Sequence, residues 1–197
     1  MVPGVAQVTS VDGLKDGMDD FDELTQVALR ARRGDAAAAA EFVRATQADV
    51  WRLCAHLGSP AQADDLTQDT YARAFASLHR FLGRASARTW LLSIARRVCA
   101  DAVRSAVRSR RIAAAPERSS DDPASSVAMR SLIAGLEPER REAFVLTQIL
   151  GRSYAEAADT CDCPVGTIRS RAARARADLV AALDSGARGG QSAAGTG

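Results

Sequence analysis

The sequence predicts an all-α protein made of two small helical domains joined by a flexible linker. Apolar residues recur at spacings of three and four in both halves of the 197-residue chain, and strand-type alternation is absent. Alanine, leucine and arginine, which are strong helix formers, are abundant in both halves. Between the halves, residues 109–126 contain two prolines and a serine cluster without apolar periodicity, which is typical of a linker.

The domain boundaries follow from these patterns. The first domain is predicted to span residues 21–108, and the second residues 127–185. Residues 1–20 are aperiodic and residues 186–197 are small and polar, so both segments are predicted to be disordered tails.

Four helices are predicted in the first domain. The first is marked by apolar residues at Leu24, Val27, Ala28 and Ala31, and Gly34 ends it. The second carries the apolar stripe Phe42, Thr46, Val50, Leu53 and Leu57. The third has Asp64 as its expected cap, and the residues expected to face the core are Leu66, Thr70, Ala74 and Leu78. After a break at residues 83–86, a long helix from Arg88 to Arg108 turns inward Leu91, Ile94, Val98 and Ala102.

The second domain is predicted to end in two helices connected by a short turn. A short helix ends near Leu136, and Pro138 begins the next one, which stops at Gly151. Ser153 and Glu156 have the spacing of a capping box, which opens another helix. After a turn at residues 160–163, Pro164 begins the last helix, whose inward stripe is Ile168, Ala172, Ala175, Leu179 and Leu183.

Charge is strongly segregated along the chain, although the net charge is only +2. Residues 1–79 hold 12 acidic and 7 basic residues, whereas residues 80–111 hold nine arginines against Asp101 alone. The basic block indicates a polyanionic partner, and the acidic first third indicates a different, basic one. No phosphate-binding glycine loop, catalytic constellation or metal-ligand cluster is visible, so we expect neither an enzyme nor a metal or cofactor site.

Residues 153–176 have the pattern of a helix-turn-helix, and the second helix carries Arg169, Arg171, Arg174 and Arg176. In such motifs the N-terminal part of the second helix enters the major groove of DNA. Arginine suits this position because it reads guanine bidentately and binds phosphate. The alternative is that these arginines form a solvated face on a short helical bundle.

Several segments together resemble the bacterial sigma factors of the extracytoplasmic-function (ECF) group over about residues 22–183. Residues 162–171 (DCPVGTIRSR) resemble region 4.2, and residues 136–151 followed by Ser-Tyr-Ala-Glu-Ala-Ala resemble region 4.1 leading into it. Residues 64–75 (DDLTQDTYARAF) resemble region 2.2, and residues 88–96 (RTWLLSIAR) resemble the start of region 2.4. These segments occur in the family's order and spacing.

The resemblance implies three binding surfaces. The residues expected to read the −35 promoter element are Thr167, Arg169, Ser170, Arg171, Ala173 and Arg174. Those expected to engage the −10 element, in the loop and helix at residues 82–108, are Arg84, Ser86, Arg88, Arg96, Arg97 and Arg104. Those expected to dock on the β′ clamp helices of core RNA polymerase are Asp64, Asp65, Gln68, Asp69 and Ala72. The small side chain of Ala173 favours contact with a thymine methyl group.

The function implied by the resemblance is that of an alternative sigma factor, which binds core polymerase and directs promoter-specific initiation. Its expected partners are the polymerase core, promoter DNA and an anti-sigma protein, and the free chain is expected to be monomeric. Without a secretory signal, a membrane-spanning run or a disulfide framework, it is expected to be cytoplasmic. The opposite charges of its segments also predict that the two domains can pack together in the free chain.

Two other functions and several residues stay open at this point. The chain could be a helix-turn-helix repressor acting without polymerase, or a helical protein-interaction module. Phe81 and Trp90 could stack on DNA bases or lie in the core. Cys54 and Cys99 lie near apolar stripes and are expected to be buried. Cys161 and Cys163 flank the predicted turn, so that a redox role beside the DNA-binding helix is conceivable.

Overall fold

The computed structural model describes residues 16–110 and 124–192, and these residues form eight α-helices and no strand. The N-terminal lobe, residues 16–110, contains α1 (Asp16–Arg32), α2 (Ala36–Leu57), α3 (Ala63–Ser77) and α4 (Ala87–Arg110). The C-terminal lobe, residues 124–192, contains α5 (Ala124–Ala134), α6 (Pro138–Phe144), α7 (Tyr154–Cys161) and α8 (Val165–Ser192). The predicted all-α fold class is confirmed.

Both predicted tails are partly helical. Helix α1 begins at Asp16. Helix α8 continues to Ser192, because no proline interrupts it and an established helix adds residues at little cost. Residues 1–15 and 193–197 lie outside the described residues.

Helices border the predicted linker, residues 109–126, on both sides. Helix α4 runs to Arg110, and α5 begins at Ala124. The remainder of the linker, residues 111–123, lies outside the described residues.

The N-terminal lobe packs α1, α3 and α4 around the central helix α2. The stripe predicted for α2 is buried along its whole length, and so is that of α3. Asp64, however, is not the cap of α3, since the N-cap position belongs to Gln62. As the second residue of the helix, Asp64 instead accepts a hydrogen bond from the indole Nε1 of Trp51 at 2.9 Å.

The C-terminal lobe packs α6 and α7 against α8. Ile168, Ala172 and Ala175 are fully buried in this contact, which confirms most of the predicted stripe. Leu183 was wrongly predicted to face the core: it is 47% exposed, because α8 runs past the end of the lobe and residues 180–185 are all exposed. The helix predicted up to Leu150 also changes form, since residues Val145–Ile149 make a π-helical turn.

The two lobes lie against each other. Helix α4 contacts α7, and α2 contacts α5 and α6. Arg96 Nη1 on α4 lies 3.2 Å from Glu142 Oε2 on α6, with both side chains mostly buried. No helix in the described part of the chain has the length and hydropathy that a membrane crossing requires.

Candidate nucleic-acid and polymerase-binding surfaces

The start of the helix-turn-helix is fixed by the predicted capping box. The Ser153 hydroxyl accepts a hydrogen bond from the Glu156 backbone N–H at 3.2 Å. In return, the Glu156 carboxylate accepts one from the Ser153 backbone N–H at 2.8 Å. Both contacts satisfy donors that a helix end would otherwise leave unpaired, so α7 begins at one defined residue.

The turn between α7 and α8 depends on Asp162, which has a φ of 53°. Aspartate tolerates this left-handed conformation better than most side chains do. The chain then reverses, and the backbone N–H of Cys163 donates to the Ala158 carbonyl at 3.1 Å. Since Pro164 accepts from the Thr167 backbone N–H at 2.9 Å, the first turn of α8 is also tied to the turn.

The face of α8 opposite the core carries the predicted −35 residues. Arg169, Ser170, Ala173 and Arg174 are exposed, and Thr167 and Arg171 are half-buried. The Arg169 guanidinium carbon lies 5.8 Å from the centre of the Tyr154 ring on α7. Arg171 Nη1 lies 4.0 Å from the Cys163 sulfur. The outer face of α8 is therefore a basic surface in which two arginines contact residues outside the helix.

Three of the six predicted −10 residues are buried or half-buried, and each makes a contact inside the chain. Ser86 is buried and accepts a hydrogen bond from the Thr89 backbone N–H at 2.9 Å, which makes it a cap of α4. Arg88 Nη1 lies 2.6 Å from Asp49 Oδ2, and both side chains are largely buried. Arg96 makes the contact with Glu142 between the lobes.

The other three predicted −10 residues, Arg84, Arg97 and Arg104, are exposed. Arg104 also forms an ion pair with Asp101 on the same helix. The exposed basic surface is thus smaller than the nine arginines of residues 80–111 indicate.

The two aromatic residues proposed for base stacking contact each other. Phe81 is buried, Trp90 is half-buried, and their ring centres lie 4.9 Å apart. Trp90 also packs against the core. In this conformation both rings contribute to the packing of the lobe, and Phe81 offers no face to a base.

The α3 surface carries the residues predicted to bind polymerase. Asp64, Asp65, Gln68 and Ala72 are exposed, and Asp69 is half-buried. Asp69 differs from the others because its carboxylate lies 2.9 Å from Arg73 Nη2.

Arg73 links this surface to α4, since its Nη1 lies 2.8 Å from Asp101 Oδ2. Arg73, followed by Arg104, lowers the pKa of the Asp101 carboxyl. Asp64 and Asp65, by contrast, are exposed, and Asp64 contacts Trp51.

A groove beside this surface contains a residue that sequence reasoning missed. The groove lies between α2 and α3 and has a volume of about 610 Å³. Its lining includes Trp51, Asp64 and Gln68, and Trp51 is 43% exposed. The sequence does contain a signal that points to Trp51. This residue lies off the buried stripe of α2, and a large aromatic residue at an exposed position is seldom needed for packing.

The cysteines are free thiols in the described part of the chain. Cys54 and Cys99 are buried, as predicted. Cys161 is also buried, and burial together with the nearby Glu142 carboxylate raises its pKa to about 12. Cys163 is half-buried. Within residues 16–110 and 124–192 there is no cluster of histidine, cysteine and acidic residues that could hold a metal ion.

An open cleft of about 660 Å³ lies between the lobes, beside the loop that precedes α4. Arg84, Ser86 and Thr89 line it from the N-terminal lobe. The facing wall is acidic, with side chains from the end and start of α7 and the following turn, namely Glu156, Asp159 and Asp162. The loop before α4 therefore faces the turn of the helix-turn-helix.

Known proteins match both lobes. Residues 42–109 match the Sigma-70 region 2 family, and residues 126–179 match the Sigma-70, region 4 family. The chain is 49% identical over 171 residues to the ECF RNA polymerase sigma factor SigC of Mycobacterium tuberculosis, covering 82% of this chain and 92% of that protein.

Two solved structures are similar to the whole arrangement. One is CnrH in complex with the cytosolic domain of CnrY, with a TM-score of 0.68 and 27% identity over 82% of this chain and 97% of the other. The second is the sigma factor RpoE in complex with the anti-sigma factor NepR from Bartonella quintana. It has a TM-score of 0.66 and 28% identity, and covers 73% of this chain and 95% of the other.

Proposed function

The chain belongs to the ECF family of RNA polymerase sigma factors, and from that premise we propose how its surfaces are divided among its partners. It is an alternative sigma factor that directs transcription initiation. A repressor acting without polymerase is not supported, because the N-terminal lobe matches region 2 rather than a separate dimerisation or ligand module. Sigma factors are initiation factors without enzymatic activity of their own.

The α3 surface binds core RNA polymerase. This assignment is supported by the exposed carboxylates of Asp64 and Asp65 and by the adjoining groove with the half-exposed Trp51. An aromatic residue beside exposed acids suits a basic partner helix, since the ring supplies buried area and the acids supply complementary charge. Gln68 and Ala72 continue the same surface, whereas Asp69 holds Arg73 in place.

The outer face of α8 reads the −35 element. Its support is the exposure of Arg169, Ser170 and Arg174 on one side of a helix whose other side is fully buried. A helix anchored in this way presents its side chains to the major groove in a fixed register. Arg174 is the candidate for bidentate guanine contact, and Ala173 for contact with a thymine methyl.

The −10 element is engaged by the loop before α4 and by the exposed arginines of that helix. Arg84, Arg97 and Arg104 supply positive charge for the strand. Ser86, Arg88 and Arg96 support this surface from within, because they cap α4 or pair with Asp49 and Glu142.

The two lobes separate when the protein binds a promoter. The −10 and −35 elements lie about 25 base pairs apart by their numbering, which is roughly 85 Å along the duplex at about 3.4 Å per base pair. In the free chain the loop before α4 faces the turn of the helix-turn-helix across the cleft. The acidic wall formed by α7 and the turn faces Arg84 there, so the closed arrangement competes with DNA for the same charge.

An anti-sigma protein is the proposed inhibitory partner. The support comes from the similar structure of RpoE, which was solved in complex with the anti-sigma factor NepR. We expect such a partner to cover the α3 surface and the α8 face, since these are the surfaces assigned to polymerase and DNA.

The observation that carries the proposal is the placement of an exposed acidic surface on the lobe matching region 2 and an exposed arginine surface on the lobe matching region 4. The test measures binding to purified core polymerase and transcription from a promoter selected with the wild-type holoenzyme. Asp65→Arg should weaken core binding at least 10-fold, with a matching loss of transcript. Glu23→Arg makes an equal charge change at an exposed position of α1, and it should leave core binding and transcription unchanged. Unchanged core binding by Asp65→Arg would contradict the assignment of α3.

A further inference from the structure

Tyr154 on α7 lies beneath Arg169 on α8. The Arg169 guanidinium carbon is 5.8 Å from the centre of the Tyr154 ring, which is within the range of a cation–π contact. The ring is half-buried and packs against the core, whereas Arg169 is exposed. The contact therefore joins a fixed aromatic ring to a long side chain that solvent would otherwise leave mobile.

The backbone that carries the ring is held by hydrogen bonds at the start of α7. Tyr154 is the first residue of the helix and follows the Ser153 cap directly. Arg152, on the other side of the cap, donates from Nε to the Leu150 carbonyl at 2.9 Å and approaches Glu156 at 3.7 Å. Because this backbone is held and the ring packs against the core, Tyr154 has less freedom to reorient than the exposed Arg169.

We propose that Tyr154 is a positioning residue that orients Arg169 for reading the −35 element. The inference rests on the proposed role of α8 in DNA binding. Holding an arginine in one orientation before binding removes part of the entropy cost of ordering it on the DNA. Arginine can make both contacts at once, since an aromatic ring stacks on the face of a guanidinium while the N–H donors lie in its plane.

The proposal makes the ring, not its hydroxyl group, the active feature of Tyr154. Tyr154→Phe keeps the ring and should bind the selected −35 duplex like the wild type. Tyr154→Leu removes the ring and should weaken binding about 2- to 5-fold, which is the range of an exposed cation–π contact. Phenylalanine with three fluorine atoms in place of Tyr154 keeps the packing but weakens the ring's negative face, and it should behave like Tyr154→Leu.

The decisive experiment is a double-mutant cycle measured on the holoenzyme with that duplex, with core binding recorded in parallel. In an Arg169→Ala background, Tyr154→Leu and the fluorinated ring should cause no further loss, and core binding should stay constant throughout. Equal losses in the wild-type and Arg169→Ala backgrounds would overturn the positioning role while leaving the DNA-binding role of α8 intact. So would a loss on Tyr154→Phe as large as that on Tyr154→Leu, since it would assign the effect to the hydroxyl. If Arg169→Ala alone leaves promoter binding unchanged, the assignment of Arg169 to the −35 element fails as well.

Discussion

The two arginine-rich helices, α4 and α8, differ in how their charge is used. On α8 the arginines at 169 and 174 are exposed, on the side opposite the buried stripe. On α4, Arg88 and Arg96 are mostly buried and paired with Asp49 and Glu142. The density of arginine in a segment therefore does not measure the positive charge that the folded protein offers to DNA.

The difference follows from the position of each helix. Helix α4 is packed on both sides, against the N-terminal lobe and against α7, so its arginines meet carboxylates from other elements. Helix α8 packs with one side only, and the lobe is too small to cover the other. Four predictions test or sharpen this comparison.

The largest expected effect is that of Arg174→Ala on promoter binding. Loss of a bidentate arginine–guanine contact costs about 1–3 kcal/mol, so the affinity of the holoenzyme for its promoter should fall roughly 5- to 150-fold. Binding to core polymerase should be unchanged. The matched control is Arg176→Ala, which removes the same charge beside the buried stripe at Ala175 and should have a smaller effect. An equal loss of core binding and promoter binding would show that the assignment of Arg174 to the major groove is wrong.

The second effect concerns the ion pair between the lobes. Glu142→Gln leaves Arg96 mostly buried without its carboxylate partner, and should lower the free energy of unfolding by about 1–3 kcal/mol. Urea denaturation measures this change. Glu41→Gln is the control, since its ion pair with Arg30 is about half-exposed and should contribute less than about 1 kcal/mol. Similar losses in both variants would mean that burial does not distinguish the two pairs.

These first two cases also show what could be predicted from the sequence. The buried stripes of α2, α3 and α8 and the capping box at Ser153 are local patterns, and all but Leu183 were predicted correctly. The partners of Arg88 and Arg96 lie 39 and 46 residues away along the chain. No local pattern specifies such pairs, because they depend on how the helices pack.

Ser86 and Trp51 illustrate two further limits. A serine before a helix can act as a cap or belong to a DNA-contacting loop, and the amino-acid sequence alone does not separate these roles for Ser86. The structure shows that Ser86 caps α4. Trp51 lies off the buried stripe of α2, but its neighbour Asp64 belongs to α3, and the groove between them exists only after folding. The proposed roles of α3, α4 and α8 in binding remain predictions.

The third effect separates exposed from paired arginines on α4. Arg97→Ala removes an exposed charge and should weaken promoter binding about 2- to 5-fold, uniformly across promoter sequences. The slope of log affinity against log salt concentration should decrease by about one. Arg44→Ala, which removes an exposed charge from α2, serves as the control and should leave the slope unchanged. If the wild type and Arg97→Ala have the same slope of log affinity against log salt concentration, Arg97 does not belong to the DNA-binding surface.

The smallest expected effect is a pH dependence from His56. Burial, followed by the nearby charge of Arg130, lowers the pKa of His56 below 6.5. The folded state thus favours the neutral ring, and its contribution is complete above pH 6.5 and is lost as the pH falls toward the lowered pKa. Thermal unfolding between pH 7.5 and 5 should show less destabilisation in His56→Gln than in the wild type. His79→Gln, which removes an exposed histidine, is the control. The same loss of stability between pH 7.5 and 5 in His56→Gln as in the wild type would exclude this residue as a source.

The most direct test of the account locates each candidate DNA surface on a bound promoter. Photoreactive p-azidophenylalanine is placed at Ala173 on α8 or at Ala85 in the cleft-lining loop, both of which are exposed. The holoenzyme is then bound to its selected promoter and irradiated, and the crosslinked bases are mapped. We predict crosslinks near −35 from position 173 and near −10 from position 85, although the loop at position 85 faces the turn of the helix-turn-helix in the free chain. Crosslinks from both positions to the same stretch of DNA, or from neither, would contradict the account.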